Sequence, residues 1–294
     1  VTEAFNGGID TINSSIYFDL GLNGANVENL TLTGLLHISA NGNDLDNTLR
    51  GNGGNNEFRG GTGFDIAYGG NGDDTYYSDI ESAIEFQNEG FDSIYLYKDI
   101  IYFPGEELIL PDNIERLVAS SNYTYNGGAL IARGNALDNT IEVTSQNAIF
   151  DGGLGADTLI YKGGGGTLKF IVDNESDSIV IYGPTYSVTV EVTSTNYKLS
   201  DGVNSNSLYL TSTATSAINL TGNKWQSTID VVSAQSGSIV SGLGGNDTYL
   251  TGSNVNNISF IEALDGGDDT LEFTGGVSEV YLPLNIETLK FTGL

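Results

Sequence analysis

A nine-residue repeat constrains this chain more than any other feature of its sequence. Between Gly42 and Tyr77 the sequence divides into four consecutive segments: GNDLDNTLR, GNGGNNEFR, GGTGFDIAY and GGNGDDTYY. The eighth place of each segment is apolar or aromatic, and the sixth place carries Asn47, Asn56, Asp65 and Asp74 in turn. A short, regular repeat with one inward-facing residue per copy predicts short strands stacked in parallel as a solenoid.

The glycines between these strands suggest a chemical role for the loops. A flat glycine-rich loop lets backbone carbonyls converge, and an aspartate at the sixth place adds a charged oxygen. Calcium takes six to eight such oxygen ligands. If two segments form one turn, the first segment stacks on the third and the second on the fourth, so that Asn47 faces Asp65 and Asn56 faces Asp74. A flexible glycine-rich linker is the alternative, but a linker has no reason to keep its phase over four segments.

Parts of this block return later in the chain. GNDLDNTL at 42–49 recurs as GNALDNTI at 134–141 and more loosely as GNKWQSTI at 222–229. Glycine-rich blocks follow them at 151–160 and 242–250, which predicts that Asn139 faces Asp157 and that Asp247 occupies the corresponding place. The whole unit therefore repeats after about 85–90 residues.

Two further elements recur in the longer unit. The first places a glutamate seven residues before an aspartate, in EAFNGGIDTI (3–12), EFQNEGFDSI (85–94) and EALDGGDDTL (262–271). We interpret its aspartates, Asp10, Asp92 and Asp269, as further metal ligands. A degenerate copy at 173–180 keeps Asp177 and lacks the glutamate. The second element is NVENLTLTG (26–34), NIERLVAS (113–120) and NIETLKFTG (285–293), to which the sequence alone assigns no role.

The nonapeptides match the template G-G-x-G-x-D-x-U-x, where U is apolar, and they resemble the calcium-binding repeats of RTX proteins. The resemblance is strong only over residues 42–77. It implies an all-β fold, a right-handed parallel β-roll or β-helix with calcium-binding Gly-Asp loops, and several bound Ca²⁺ ions. It also implies export through a type I system and folding outside the cell. Loop carbonyls would join the sixth-place side chains as ligands, from Gly61, Gly63, Gly70, Gly72, Gly153 and Gly155.

The pattern departs from the family in one respect. Each predicted site pairs an asparagine with an aspartate, whereas the strict family pattern has two aspartates. Because calcium affinity follows the number of charged ligands, we expect weaker calcium binding here.

The segments predict three parts. Residues 1–160 form an RTX-like calcium-binding β-solenoid of two repeat units. Residues 161–221, rich in Val, Thr and Ser, form a β-helix stretch with few calcium loops. Residues 222–294 contain a third calcium block and a truncated fourth unit.

Charge limits the partners of the chain. Its 294 residues carry 38 acidic and only 10 basic side chains, a net charge of −28 at pH 7. Such a surface repels nucleic acid and anionic lipid and attracts cations. No apolar run is long enough to span a bilayer, and no cysteine is present. The chain begins on Val1 and contains no methionine, so we expect a piece of a longer protein, or open solenoid ends that self-associate head to tail.

The sequence predicts a structural protein and not an enzyme. Its single histidine, His37, cannot form a multi-histidine zinc site, and no G-x-S-x-G motif is present. A β-helix polysaccharide lyase or epimerase remains an alternative, although the scattered basic residues disfavour it. A second alternative is a carbohydrate-binding adhesin module, because the segments DDTYY, YLYKDIIYF and SNYTYNG are rich in tyrosine. The favoured function is a calcium-binding segment of a secreted bacterial S-layer, matrix filament or adhesin stalk.

Overall fold

The computed structural model describes residues 3–5, 7–97, 107–120, 129–205, 207–252, 257–275 and 281–292. In these ranges the chain is almost entirely β-structure, and its paired strands run parallel. A single four-residue helix, α1 (Leu20–Asn23), is present in the described part, and the Asp19 side chain accepts a hydrogen bond from its Leu22 N–H. The prediction of an all-β parallel solenoid is therefore confirmed.

The strands are short, with two to six residues each. As far as residue 144 they are β1 (Thr11–Ser14), β2 (Phe18–Asp19), β3 (Asn29–Leu32), β4 (Ser39–Asn41), β5 (Thr48–Arg50), β6 (Glu57–Arg59), β7 (Ile66–Tyr68), β8 (Thr75–Tyr77), β9 (Ser82–Ile84), β10 (Ser93–Tyr97), β11 (Glu107–Ile109), β12 (Arg116–Ser120), β13 (Leu130–Arg133) and β14 (Thr140–Thr144).

The remaining strands follow the same alternation of strand and turn. They are β15 (Ala148–Asp151), β16 (Thr158–Tyr161), β17 (Thr167–Val172), β18 (Ser178–Ile181), β19 (Ser187–Val192), β20 (Asn196–Lys198), β21 (Leu208–Ser212), β22 (Asn219–Thr221), β23 (Thr228–Asp230), β24 (Ile239–Ser241), β25 (Thr248–Thr251), β26 (Ser259–Phe260), β27 (Thr270–Phe273) and β28 (Thr288–Phe291).

Contacts between residues divide the chain into two compact units. The first consists of Val1–Ile101, Ile109–Asn122 and Gly134–Glu142, and the second of Tyr102–Leu108, Tyr123–Arg133 and Val143–Leu294. In the first unit, one sheet has the strand order β1-β3-β5-β7-β9, and another contains β2-β4-β6-β8-β10-β12. In the second unit, one sheet contains β13-β15-β17-β19-β21-β23-β25-β27-β28, another has the order β20-β22-β24-β26, and β16 pairs with β18.

Odd and even strands alternate between two sheets because two nonapeptides complete one turn. In the first unit Leu49 pairs with Ala67, and Phe58 pairs with Tyr76, each 18 residues later. The predicted stacking of the first segment on the third, and of the second on the fourth, is confirmed. In the second unit the spacing varies from 18 residues, between Leu130 and Ala148, through 20, between Leu168 and Val188, to 22, between Thr248 and Thr270.

The core consists of stacked columns of inward-facing side chains. The eighth-place residues of the four nonapeptides are all buried, and the Phe58 and Tyr76 rings stack with centroids 5.2 Å apart. In the second unit the Phe150 and Phe170 rings stack at 4.6 Å. The longer strands β17 and β19 each bury alternate residues, so side-chain packing supplies the core in this stretch.

Replacing Phe150 by alanine should remove one member of this stack. Phe150 is fully buried, so the change should lower the free energy of unfolding by about 3–5 kcal/mol. Urea unfolding in millimolar calcium measures it. Tyr186→Ala, which alters an aromatic residue that is 69% exposed, is the matched control and should change stability far less. Equal losses in both variants would contradict the column-packed core.

Candidate metal centre

The sixth-place residues of the nonapeptides are buried and form a ladder of hydrogen bonds between turns. The backbone N–H of Asn47 donates to Asp65 Oδ1 at 2.8 Å, and that of Asn56 donates to Asp74 Oδ1 at 2.6 Å. The next rung joins Asp74 N–H to Asp92 Oδ1 at 2.7 Å. Each side chain therefore accepts the backbone amide of the turn that precedes it in the chain.

Glutamates from the second recurring element (26–34, 113–120 and 285–293) continue the ladder. Glu115 Oε2 accepts the Asp92 N–H at 2.7 Å, and the side chain of Asn113 donates to the Glu85 carbonyl at 3.0 Å. The other two copies repeat both bonds. The backbone N–H groups of Asp10 and Asp269 donate to the carboxylates of Glu28 and Glu287, respectively. The side chains of Asn26 and Asn285 donate to the backbone carbonyls of Glu3 and Glu262. Sequence reasoning found this element but missed its role. The signal was the constant spacing of asparagine and glutamate.

The predicted asparagine ligands use their amides within the protein. Asn47 Oδ1 accepts the Asn43 N–H at 2.7 Å, and its Nδ2 reaches the carbonyls of Val27 and Glu28 in the preceding turn. Asn56 and Asn139 are arranged in the same way, with Oδ1 accepting the N–H of the residue four positions earlier. Metal ligation by these three asparagines stays a prediction.

Three acidic side chains come together beside this ladder. Asp74, Glu85 and Asp92 are all buried, and each offers a carboxylate oxygen within 4.8 Å of the other two. The hydroxyl of Tyr76 donates to Glu85 Oε1. The sequence predicted Asp74 and Asp92 as ligands, whereas Glu85 was noted only as part of a repeat and Tyr76 only as a core residue.

The position of Glu85 follows from strand register. Tyr68 pairs with Arg50 on one side and with Ile84 on the other, so Gly51, Gly69 and Glu85 succeed one another in a column. A side chain on Gly69 would collide with Asp74 Oδ2, Glu85 Oε1 and the Tyr76 hydroxyl. Glycine at this position is what leaves room for the three polar groups.

The cluster carries negative charge without a basic partner. In the described part of the chain, no lysine or arginine forms an ion pair with Asp74, Glu85 or Asp92. Burial, reinforced by neighbouring carboxylates, raises the pKa of Asp74 and of Glu85 to about 8 and that of Asp92 to about 7. A buried ionised carboxylate is costly unless it is paired. The site therefore needs either protons or a cation.

The donor set fits a hard divalent cation such as Ca²⁺, which binds oxygen ligands and carboxylates in particular. Asp74 Oδ2 and Glu85 Oε2 are buried atoms that accept no hydrogen bond from any described residue. They belong to side chains that are 1% and 5% exposed. These two oxygens are the groups that a cation would satisfy.

Asp65 forms a smaller acidic site one nonapeptide earlier. Asp65 Oδ2 and Asp79 Oδ1 are buried and accept no hydrogen bond from the described residues. Glu81 Oε2 accepts the backbone N–H of Asp65 at 2.7 Å. Burial and the charges of Glu81, Asp79 and Asp46 raise the pKa of Asp65 to about 6.

A second group of acids contains Asp157, Asp173 and Asp177. The Asp157 N–H donates to Asp177 Oδ1 at 2.9 Å, and the other Asp177 oxygen accepts the N–H groups of Asp173 and Asn174. Asp173, which sequence reasoning missed, lies within the stretch 161–221 that we expected to hold few calcium loops. Backbone amides already satisfy Asp177, so this group has less need of a cation than the first.

The six glycines expected to offer loop carbonyls share one backbone conformation. All have positive φ: Gly61 99°, Gly63 120°, Gly70 89°, Gly72 118°, Gly153 80° and Gly155 126°. Glycine adopts this region without steric cost, so the sequence is suited to these turns. Whether their carbonyls bind metal stays a prediction.

The outer tyrosines considered for carbohydrate binding are in part covered. The Arg59 guanidinium lies 3.6 Å from the centroid of the Tyr77 ring, and the Arg116 guanidinium lies 5.5 Å from that of the Tyr95 ring. The segment SNYTYNG, and YLYKDIIYF beyond residue 97, lie outside the described residues.

His37 Nδ1 accepts the Asn55 N–H at 2.8 Å and thus joins two turns.

Comparison with protein-family models, curated proteins and solved structures finds no match for this chain. Among the described residues, no helix has the length and apolar character needed to cross a membrane.

The metal-free protein should lose stability as the pH rises. Asp74, Glu85 and Asp92 have folded-state pKa values of about 7 to 8, above the unfolded value of about 4, so the folded chain binds more protons between these limits. Their contribution to the free energy of unfolding is fully present below about pH 4 and is lost as the pH rises through 8. Urea midpoints in chelator at several pH values measure it.

The control for this prediction is Glu85→Gln, which removes one of the titrating groups and should flatten the dependence. Stability that rises with pH between about 5 and 8 in chelator would contradict the assignment of raised pKa values.

Proposed function

We propose that this chain is a calcium-dependent structural segment of a secreted bacterial surface protein, of the kind that the RTX resemblance implies. In this proposal the parallel β-solenoid completes its folding when calcium neutralises its buried acids. The observation that carries the proposal is the group Asp74, Glu85 and Asp92, three buried carboxylates without a basic partner among the described residues.

A cation compensates these charges better than protons do at neutral pH. With pKa values of about 7 to 8, the three carboxyls would be only partly protonated at pH 7.5, and burial penalises each ionised form. A divalent ion supplies the missing positive charge in one step. Because the unfolded chain lacks the assembled ligands, such an ion stabilises the folded state by mass action.

Calcium is the divalent ion that we favour, because it accepts six to eight oxygens in irregular geometry. Carboxylates together with glycine-loop carbonyls are the ligands available near Asp74. Magnesium demands near-octahedral geometry and retains water, which suits a buried cluster less well. Extracellular calcium is abundant, and this supports a location outside the cell.

A structural role agrees with the repeated architecture. The described residues form stacked turns with a highly acidic composition, and mutual repulsion would keep the metal-free chain extended. S-layer, matrix filament and stalk are the roles that such a segment suits, and self-association or continuation into further repeats belongs to the same proposal. A carbohydrate-binding module has less support, because arginines lie against the Tyr77 and Tyr95 rings of the candidate segments.

The test is whether Glu85→Gln raises stability in chelator but lowers it in calcium, relative to the parent. Glu85→Gln keeps the shape of the side chain and an acceptor for the Tyr76 hydroxyl, but removes a buried charge. In chelator at pH 8 the variant should be more stable than the parent. In millimolar calcium it should be less stable, and its calcium midpoint by far-UV circular dichroism should rise about tenfold, because ligand charge sets affinity.

Glu57→Gln is the matched control, since Glu57 is exposed on the outer face of β6 and should respond weakly in both conditions. A Glu85→Gln variant whose stability shifts in the same direction with and without calcium would refute the metal role. Magnesium in place of calcium tests ion selectivity, and electron microscopy of the calcium-loaded protein tests assembly.

A further inference from the structure

One copy of the recurring Gly-Asn turn differs chemically from the other two. The copies at 42–49 and 134–141 have leucine and aspartate at their fourth and fifth places, whereas the copy at 222–229 has Trp225 and Gln226 there. The turn itself is retained, because in all three copies the fourth-place N–H donates to the side-chain oxygen of the second-place asparagine, at 2.9 to 3.0 Å. In the third copy an aromatic ring and a neutral amide therefore replace an aliphatic side chain and a carboxylate on the same backbone.

The Trp225 ring is held in place and offers apolar surface. Trp225 is the only tryptophan of the chain, and it is 38% exposed. Its Nε1–H donates to the Asp201 carbonyl at 2.9 Å, and Lys224 Nζ lies 5.2 Å from the ring centroid. Since the one polar atom of the ring already has a partner, the exposed part presents a flat apolar surface whose position is set before a ligand arrives.

A cleft with a volume of about 240 Å³ lies beside this ring. Although the chain has a net charge of −28, no charged side chain among the described residues lines this cleft. The polar residues that line it together with Trp225 include Asn204, Ser205, Ser207, Gln226 and Thr228.

Several of these polar side chains are available to a ligand. The side chains of Asn204, Gln226 and Thr228 form no hydrogen bond with another described residue, and the first two residues are exposed. The aspartate that corresponds to Gln226 in the first copy is used differently, because Asp46 Oδ1 accepts the Phe64 N–H of the next turn at 2.8 Å. The third copy has thus exchanged a structural carboxylate for a free amide.

This combination of groups matches a neutral sugar. Hydroxyl and amide side chains both donate and accept hydrogen bonds, as the hydroxyls of a sugar do. The C–H groups on one face of a pyranose ring form an apolar surface that packs on an aromatic ring. Anionic ligands are disfavoured, because the chain is strongly acidic and the nearby Lys224 is paired with Asp201 at 3.7 Å.

We infer that the cleft beside Trp225 binds a neutral pyranose residue of a polysaccharide. The indole ring packs against the sugar, and Asn204, Gln226 and Thr228 bond to its hydroxyls. The cleft lies within the second compact unit, and it is separate from the tyrosine-rich segments of the carbohydrate-binding alternative. It adds a ligand to the structural role proposed above and uses none of the acids Asp74, Glu85 and Asp92.

The fluorescence of the single tryptophan reports on this cleft directly. The protein in millimolar calcium is titrated with neutral oligosaccharides of glucose, galactose, mannose and N-acetylglucosamine, and with oligogalacturonate as a charged comparison. We expect a saturable change in emission with at least one neutral oligosaccharide and none with oligogalacturonate. The inference is overturned if no neutral member of this set changes the emission, or if oligogalacturonate binds more tightly than all of them.

Substitutions locate the binding. Gln226→Ala should weaken the affinity for the responding oligosaccharide about three- to tenfold, the loss expected for one hydrogen bond. Trp225→Ala, followed by calorimetry because the fluorophore is absent, should weaken it about tenfold or more. Gln235→Ala, which removes an exposed glutamine from another loop of the same unit, is the matched control and should bind as the parent does.

The exposed position of Gln226 keeps the test independent of folding. If Trp225→Ala fails to fold, the comparison of Gln226→Ala with Gln235→Ala still decides the outcome, and equal affinities in these two variants would overturn the site. A protein that binds the oligosaccharide in this cleft but shows no response to calcium would refute the proposed function and leave the sugar site standing.

Discussion

The hydrogen bond from a buried backbone amide to the carboxylate of the next turn is the interaction on which the rest of this structure depends. It occurs at Asn56, Asp74 and Asp92 in one unit and at Ser227, Asp247 and Asp269 in the other. These residues are buried, and a buried backbone N–H without a partner costs free energy comparable to a lost hydrogen bond. The ladder thus helps to hold adjacent turns in register between strands of only three to five residues.

These hydrogen bonds bury negatively charged carboxylates, and the burial of that charge is costly. Each aspartate has two oxygens, and a single amide occupies only one of them. Where glycine columns end at Glu85 and Glu262, further oxygens enter the same buried space, and no lysine or arginine of the described ranges forms an ion pair with these two glutamates. The structural role and the proposed metal-binding role therefore fall on the same side chains, so we expect the removal of a carboxylate to affect both.

Much of the fold could be predicted from the sequence because its period is explicit. The nine-residue repeat predicted the pairing of Phe58 with Tyr76 and the burial of the eighth place, whereas the burial of the sixth place emerged only from the structure. The recurrence of Glu and Asp at fixed spacing singled out Asp92 and Asp269; both carboxylates accept a backbone amide, and their role as metal ligands stays a prediction. The repeat pattern could not show which side chains of different turns come into contact, because that depends on the strand register between turns of unequal length.

The residues missed from the sequence illustrate that limit. Glu85 and Tyr76 belong to different repeat elements, and only three-dimensional stacking brings the hydroxyl to the carboxylate. Asp173 lies in a stretch whose composition predicts packing without metal, yet the turn returns it to Asp157. The amides of Asn47 and Asn56 resemble metal ligands in sequence but bond to neighbouring backbone, because amide groups can donate as well as accept.

The ladder also has a direction. At each of its rungs the N–H belongs to the earlier turn and the acceptor oxygen to the later one, as in Asn47 to Asp65 and Asp10 to Glu28. The two faces of a turn are therefore chemically unlike, one offering donors and the other anionic acceptors. Turned over, a repeat would set amide against amide and carboxylate against carboxylate. Polarity of this kind fixes the orientation in which successive turns stack, independently of their shape.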